Sequence, residues 1–104
     1  MANNRLEFQE ELEAIDGVEA VYFQPPETIR MEYPCIVYTI RSGDSRYADD
    51  FTYEYSKSYD VMVIDRNPDS EIPDLIAKTF PYCRYDRHYI ADNLHHDVFV
   101  IFIR

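Results

Sequence analysis

The chain has no tryptophan, and among its 104 residues only two are glycine and only two are cysteine. Two glycines leave little room for a loop that cradles phosphate, and neither G-x-G-x-x-G nor G-x-x-x-x-G-K occurs. No C-x-x-C or H-E-x-x-H supplies the usual zinc ligands around Cys35 and Cys83. The polar start, Met-Ala-Asn-Asn-Arg-Leu-Glu, lacks the apolar stretch of a signal peptide. The expectation is a reducing, cytoplasmic setting without a structural disulfide. Basic residues are scarce: 10 Lys and Arg stand against 20 Asp and Glu, a formal net charge of −10. Within the first 34 residues, eight acids face Arg5 and Arg30, which places −6 of the charge there. Phosphate backbones repel such a chain, which argues against direct nucleic-acid binding. Solubility, a basic protein partner, or an anionic channel wall remain as reasons for the acidity.

What is present points to one folded domain, residues 1–104. Hydrophobic residues make up 46% of the chain, too many for a disordered one. Ten tyrosines and six phenylalanines favour strands over a helical bundle. Val98–Ile103 is an apolar run of six residues, four of them β-branched. It is too short for a helix or a membrane span and reads as a strand. Alternation puts Val98, Val100 and Phe102 on one side and Phe99, Ile101 and Ile103 on the other. Both sides are apolar, so this strand belongs in the middle of a sheet.

In chain order, 4–16 reads as a helix capped by Asn3 or Asn4, with Phe8, Leu12 and Ile15 as its apolar stripe and Gly17 at its end. Val18–Phe23 is a short strand stopped by Pro25-Pro26. Cys35–Arg41 is a second strand, with Ile36, Tyr38 and Ile40 on one side. Ser42–Asp50 is polar and reads as a loop. Phe51–Asp65 is the longest strand, apolar or aromatic at its odd positions from 51 to 63 apart from Lys57, and apolar on both sides towards its end. That second half is expected beside the C-terminal strand. Asn67–Ser70 turns into a helix over 71–80, capped by Ser70 or Asp69, with Pro73 in its first turn. Tyr82–Ala91 is a strand, and Asp92-Asn93 turns into the last one. The expected fold is α+β, a mainly antiparallel sheet with two helices packed on it, in the order α-β-β-β-α-β-β.

Few constellations carry chemistry. His95 and Asp97 share a face of a strand while His96 points away, and further zinc ligands are missing; two polar residues at the mouth of a strand is the simpler account. Asp49, Asp50 and Asp86 make an acid/base pair only where the fold unites them, and a solvated acidic surface explains them as well. Ser42, Ser45, Ser56 and Ser58 lack the glycines of a nucleophile elbow. Cys35 reads as a buried small apolar residue. Packing accounts for most tyrosines, but Tyr47, Tyr53 and Tyr55 adjoin the polar loop and suit an interface, apolar at one end and wet at the other.

Several phrases together resemble a known family. They are Tyr33-Pro34-Cys35-Ile36-Val37-Tyr38, the strand ending Tyr59-Asp60-Val61-Met62-Val63-Ile64-Asp65-Arg66-Asn67-Pro68-Asp69, the helix from Ile72 to Phe80, Tyr85-Asp86-Arg87, and Asp92–Val100. The chain from Glu7 to Arg104 resembles the tail terminator, or tail-completion, proteins of long-tailed phages and prophages. The resemblance implies a hexameric ring at the head-proximal end of the tail tube, assembled in the host bacterial cytoplasm as part of the virion. Its partners would be the tail tube protein and the head-completion (connector) protein, and DNA would pass through its lumen without specific binding. It implies no enzyme activity, no cofactor and no membrane. It carries no motif residues, so the contact surface is read from the chain itself: Arg41, Arg46, Tyr47, Tyr53 and Tyr55. The reading from another class is an acidic DNA mimic or inhibitor that binds a basic partner.

Overall fold

The computed structural model describes residues 4–41, 44–47 and 53–103, with backbone only for 44–47 and 53–56. The first helix, α1, spans Arg5–Glu13. Asn4 caps it from extended backbone, its Oδ1 accepting from the Glu7 N–H at 2.9 Å. The helix stops short of the expected Asp16, but Phe8, Leu12 and Ile15 are all buried. Gly17 follows at φ +92°, a conformation that a side chain would strain.

The strands are β1 (Ala20–Phe23), β2 (Cys35–Ile40), β3 (Asp44–Tyr47), β4 (Tyr53–Asp65), β5 (Cys83–Ala91) and β6 (Leu94–Ile103), with α2 (Ile72–Thr79) between β4 and β5. The element order is therefore α-β-β-β-β-α-β-β. The main sheet runs β1-β2-β4-β6-β5, and β3 pairs with β4 off this path. Two departures from the expected fold follow. First, β1 and β2 are parallel, so the sheet is mixed. The connection over 24–34 is long enough to carry the chain back along the strand before β2 begins. Second, part of the expected loop Ser42–Asp50 is a strand. Asp44–Tyr47 has no apolar alternation, and it is a strand through its backbone pairing with Tyr53–Ser56.

The last strand lies inside the sheet. β6 pairs with β4 from Lys57↔Ile103 to Asp65↔His95, and with β5 on its other side. Its two apolar sides are both buried. Phe99, Ile101 and Ile103 join the main core beneath the helices, with Ile36, Tyr38, Tyr59, Val61 and Val63. On the other side a smaller cluster gathers Cys35, Val37 and Ile64, with Met31 and Tyr33 of the 24–34 connection folded over it. Val98 and Val100 are buried on that same side. The β5–β6 hairpin turns at Asp92 and Asn93, at φ 54° and 62°. Two left-handed residues in a two-residue turn match the twist of the strands, and Asp and Asn tolerate that conformation well.

The helices close the main core with aromatic packing. Phe8 of α1 stacks on Tyr59 at 4.9 Å and meets Tyr38 and Phe80 edge-on at 5.5 and 5.3 Å. In α2, Ile72 and Ile76 are buried, as is Phe80 just after it. Neither Ser70 nor Asp69 holds the cap position. Glu71 does, without a side-chain bond, while Ser70 Oγ accepts from Ile72 N at 3.3 Å one residue outside. Pro73 sits in the first turn, where its missing N–H costs little. Ile40, expected to share the core with Ile36 and Tyr38, is 55% exposed because the covered part of the sheet ends before it.

Candidate functional site

β4 outruns its neighbours. It pairs with β2 only from Tyr59 and with β6 only from Lys57. Among the described residues, its first four, Tyr53–Ser56, pair with β3 alone. At about 3.4 Å per residue this leaves a two-stranded ribbon extending about 13 Å past the sheet. Four of the five expected contact residues belong to it: Arg46 and Tyr47 in β3, and Tyr53 and Tyr55 in β4. The register sets Tyr47 opposite Tyr53 and Ser45 opposite Tyr55. Asp49, Asp50, Ser42, Phe51 and Thr52 lie outside the described residues.

The fifth, Arg41, stands at the foot of the ribbon, its backbone N–H donating to Ser58 O. There a groove of about 380 Å³ is lined by Arg5, Phe23, Ile40, Arg41, Lys57, Ser58 and Tyr59. Three cations line one small groove in a chain with a net charge of −10. Arg5 is held in place, donating to Gln9 Oε1 and Tyr38 Oη at 3.1 Å each, with its guanidinium 4.4 Å over the Phe23 ring. Arg41 makes a loose contact with Asp60 at 3.6 Å, both side chains being 40% or more exposed. Such a pair contributes little in water and leaves the guanidinium free to meet another carboxylate. Lys57 is exposed. Arg5 and Lys57 were not among the expected contact residues. Lys57 carried a signal in the sequence, as the one charged residue in the otherwise apolar or aromatic odd positions from 51 to 63.

A second polar cluster joins β5 to β6. Tyr85 Oη donates to Asp97 Oδ1 at 2.9 Å, and His88 Nδ1 lies 2.8 Å from the same oxygen. His95 Nδ1 is 3.4 Å from His88 Nε2. Burial, and then the Asp97 carboxylate, push the Tyr85 hydroxyl up. His96 points to the other side and stacks on Tyr89 at 4.5 Å. His95 and Asp97 thus share a face, as alternation requires, but Asp97 is bonded to His88 and Tyr85. Among the described residues no three His, Cys, Asp or Glu side chains are placed to hold a metal. Asp86 bonds to Arg87 at 2.6 Å.

The thiols are poorly placed for nucleophilic chemistry. Cys35 is fully buried, and burial, reinforced by Asp65, raises its pKa from 9.0 to about 11. Burial raises Cys83 as well. Both thiols stay protonated near neutral pH, and the thiolate is the reactive form. The two pack in different clusters and are unpaired.

Among the described residues no helix is long and apolar enough to cross a membrane. No family model matches the chain, and no curated protein matches it.

Proposed function

We propose that this chain is a non-enzymatic structural subunit of a phage tail. Its copies form a hexameric ring that caps the head-proximal end of the tail tube, stops polymerisation and joins the tube to the head connector. The observation that carries this reading is the ribbon of β3 and the start of β4. Among the described residues it is joined to the rest of the sheet only through the continuation of β4. A ring needs a heterologous contact, one patch meeting a different patch on the next subunit. A projecting arm with a cationic groove at its foot suits one side of such a contact. Arg41 and Arg46 would meet the neighbour's acidic surface, and Tyr47, Tyr53 and Tyr55 would be its aromatic anchors. The acidity supports the same reading, since an anionic wall lets DNA pass without adhering.

The test is a Tyr47→Ala, Tyr53→Ala, Tyr55→Ala triple variant in a tail-assembly assay. The expected result is folded protein that fails to terminate tails. A variant that assembles and terminates like the parent places the contact elsewhere. The acidic-inhibitor reading draws on the exposed Glu10 and Glu13 of α1. It requires a monomer at high concentration that binds a basic, DNA-handling protein, and light scattering separates the two.

A further inference from the structure

The ring reading leaves open what the cationic groove receives, and the inference here rests on that reading. β4 joins two ends of opposite charge. At one end lies the groove with Arg5, Arg41 and Lys57. At the other, past Asp65, the chain turns through 66–71 into α2. From Ser58 to Asp65 the strand covers about 23 Å. The far turn exposes Asp69, Glu71 and Asp74 within six residues. None of these three carboxylates has a side-chain partner among the described residues. The cations nearest in sequence are Arg66, whose guanidinium lies 5.4 Å from the Tyr33 ring, and Lys78 in the last turn of α2.

We infer that the groove receives the acidic turn Asp69–Asp74 of a second copy of this chain, in a head-to-tail contact. Three arguments select this occupant. The charges are complementary, three cations against three carboxylates. Position also selects the turn over other exposed acids, since Glu10 and Glu13 lie along the flank of a helix that itself carries the groove's Arg5. Finally, the two surfaces sit at opposite ends of one strand. Each copy therefore offers one of each, and the contact repeats around a ring without bringing like surfaces together. Ile40, exposed in the groove, adds an apolar floor.

Mixing surface variants of the full-length protein tests this. One variant carries Arg41→Ala and Lys57→Ala, and the other Asp69→Ala, Glu71→Ala and Asp74→Ala. Circular dichroism checks folding. If the Asp74 change loosens α2, Asp69→Asn with Glu71→Gln replaces that set. Sedimentation velocity reads the mass. The parent is expected to assemble, more weakly at high salt, and each variant alone to be monomeric. An equal mixture is expected to give dimers and nothing larger, because each pair retains one intact groove and one intact turn. Variants that assemble like the parent overturn this contact and leave the ring standing. A mixture that stays monomeric overturns the pairing of these two surfaces. A parent that is monomeric at every concentration overturns both the contact and the ring.

Discussion

Replacing Ile101 by alanine should be among the most damaging single changes in this chain. Ile101 is fully buried on β6, in the main core between β4 and β5. The change removes three carbons, worth about 2.4 kcal/mol at roughly 0.8 kcal/mol per buried methylene. β6 is held on both sides and cannot collapse far into the space, so a cavity term adds to this. The total should reach about 3–4 kcal/mol, within the range for such truncations. At this chain length that corresponds to a fall in Tm of about 12–16 °C. Ile90→Ala is the matched control. Ile90 lies on the edge strand β5 and is 62% exposed, so its loss should stay within about 0.5 kcal/mol. Urea titration of both variants, with an unchanged slope and a shifted midpoint, measures the difference. Equal losses at the two positions would refute an internal β6 and the layered core built on it.

Ser58→Ala should be neutral or stabilising by up to about 1 kcal/mol, because the Ser58 hydroxyl is buried without a partner among the described residues and carries its desolvation penalty unrelieved; a loss above that size in urea would reveal a missed hydrogen bond. Asn4→Ala should cost about 1 kcal/mol by uncapping α1, while Asn4→Asp should retain most of it, as thermal unfolding can show. The contribution of the Cys35 thiol to stability should be constant up to about pH 9.0 and fall as pH rises towards about 11. The fold raises the Cys35 thiol, so the unfolded chain releases that proton first. The buried Tyr38 hydroxyl is raised too, with Arg5 opposing, and acts in the same direction. Cys35→Ala should flatten part of the slope in urea titrations run from neutral to alkaline pH, and an unchanged slope would exclude the thiol as its source.

The core of this fold is legible because its signals are apolar and periodic. The run Val98–Ile103 announces an internal strand, and the stripe Phe8, Leu12, Ile15 announces which side of α1 is covered; burial enforces both. What escapes the sequence is strand pairing that leaves no apolar pattern in the residues. Asp44-Ser45-Arg46-Tyr47 has no hydrophobic pattern, so β3 reads as a loop. The parallel β1–β2 pair escapes for a related reason. Strand direction depends on how 24–34 travels, and a Pro-Pro stop says only that β1 ends. The groove was half visible: Arg41 and Lys57 lie 16 positions apart in sequence and meet because β2 and β4 pair. Arg5 reaches them only because Phe8 packs α1 across those strands.

The ribbon's energetics connect the fold to assembly. A two-stranded ribbon is marginally stable in water, and a third strand or a packed layer is needed to hold it. Along 57–65, β4 has that support from β2, β6 and both helices. Along 53–56 its pairing among the described residues is with β3 alone. In the proposed ring a neighbouring subunit would supply a further layer for the ribbon. Stability and assembly should therefore separate in this chain. Truncating the ribbon tyrosines should leave the Tm of the monomer nearly unchanged while abolishing ring formation, whereas Ile101→Ala should lower the Tm and reduce assembly only through unfolding. A fall in monomer Tm as large for the tyrosine variant as for Ile101→Ala would show that the ribbon belongs to the core.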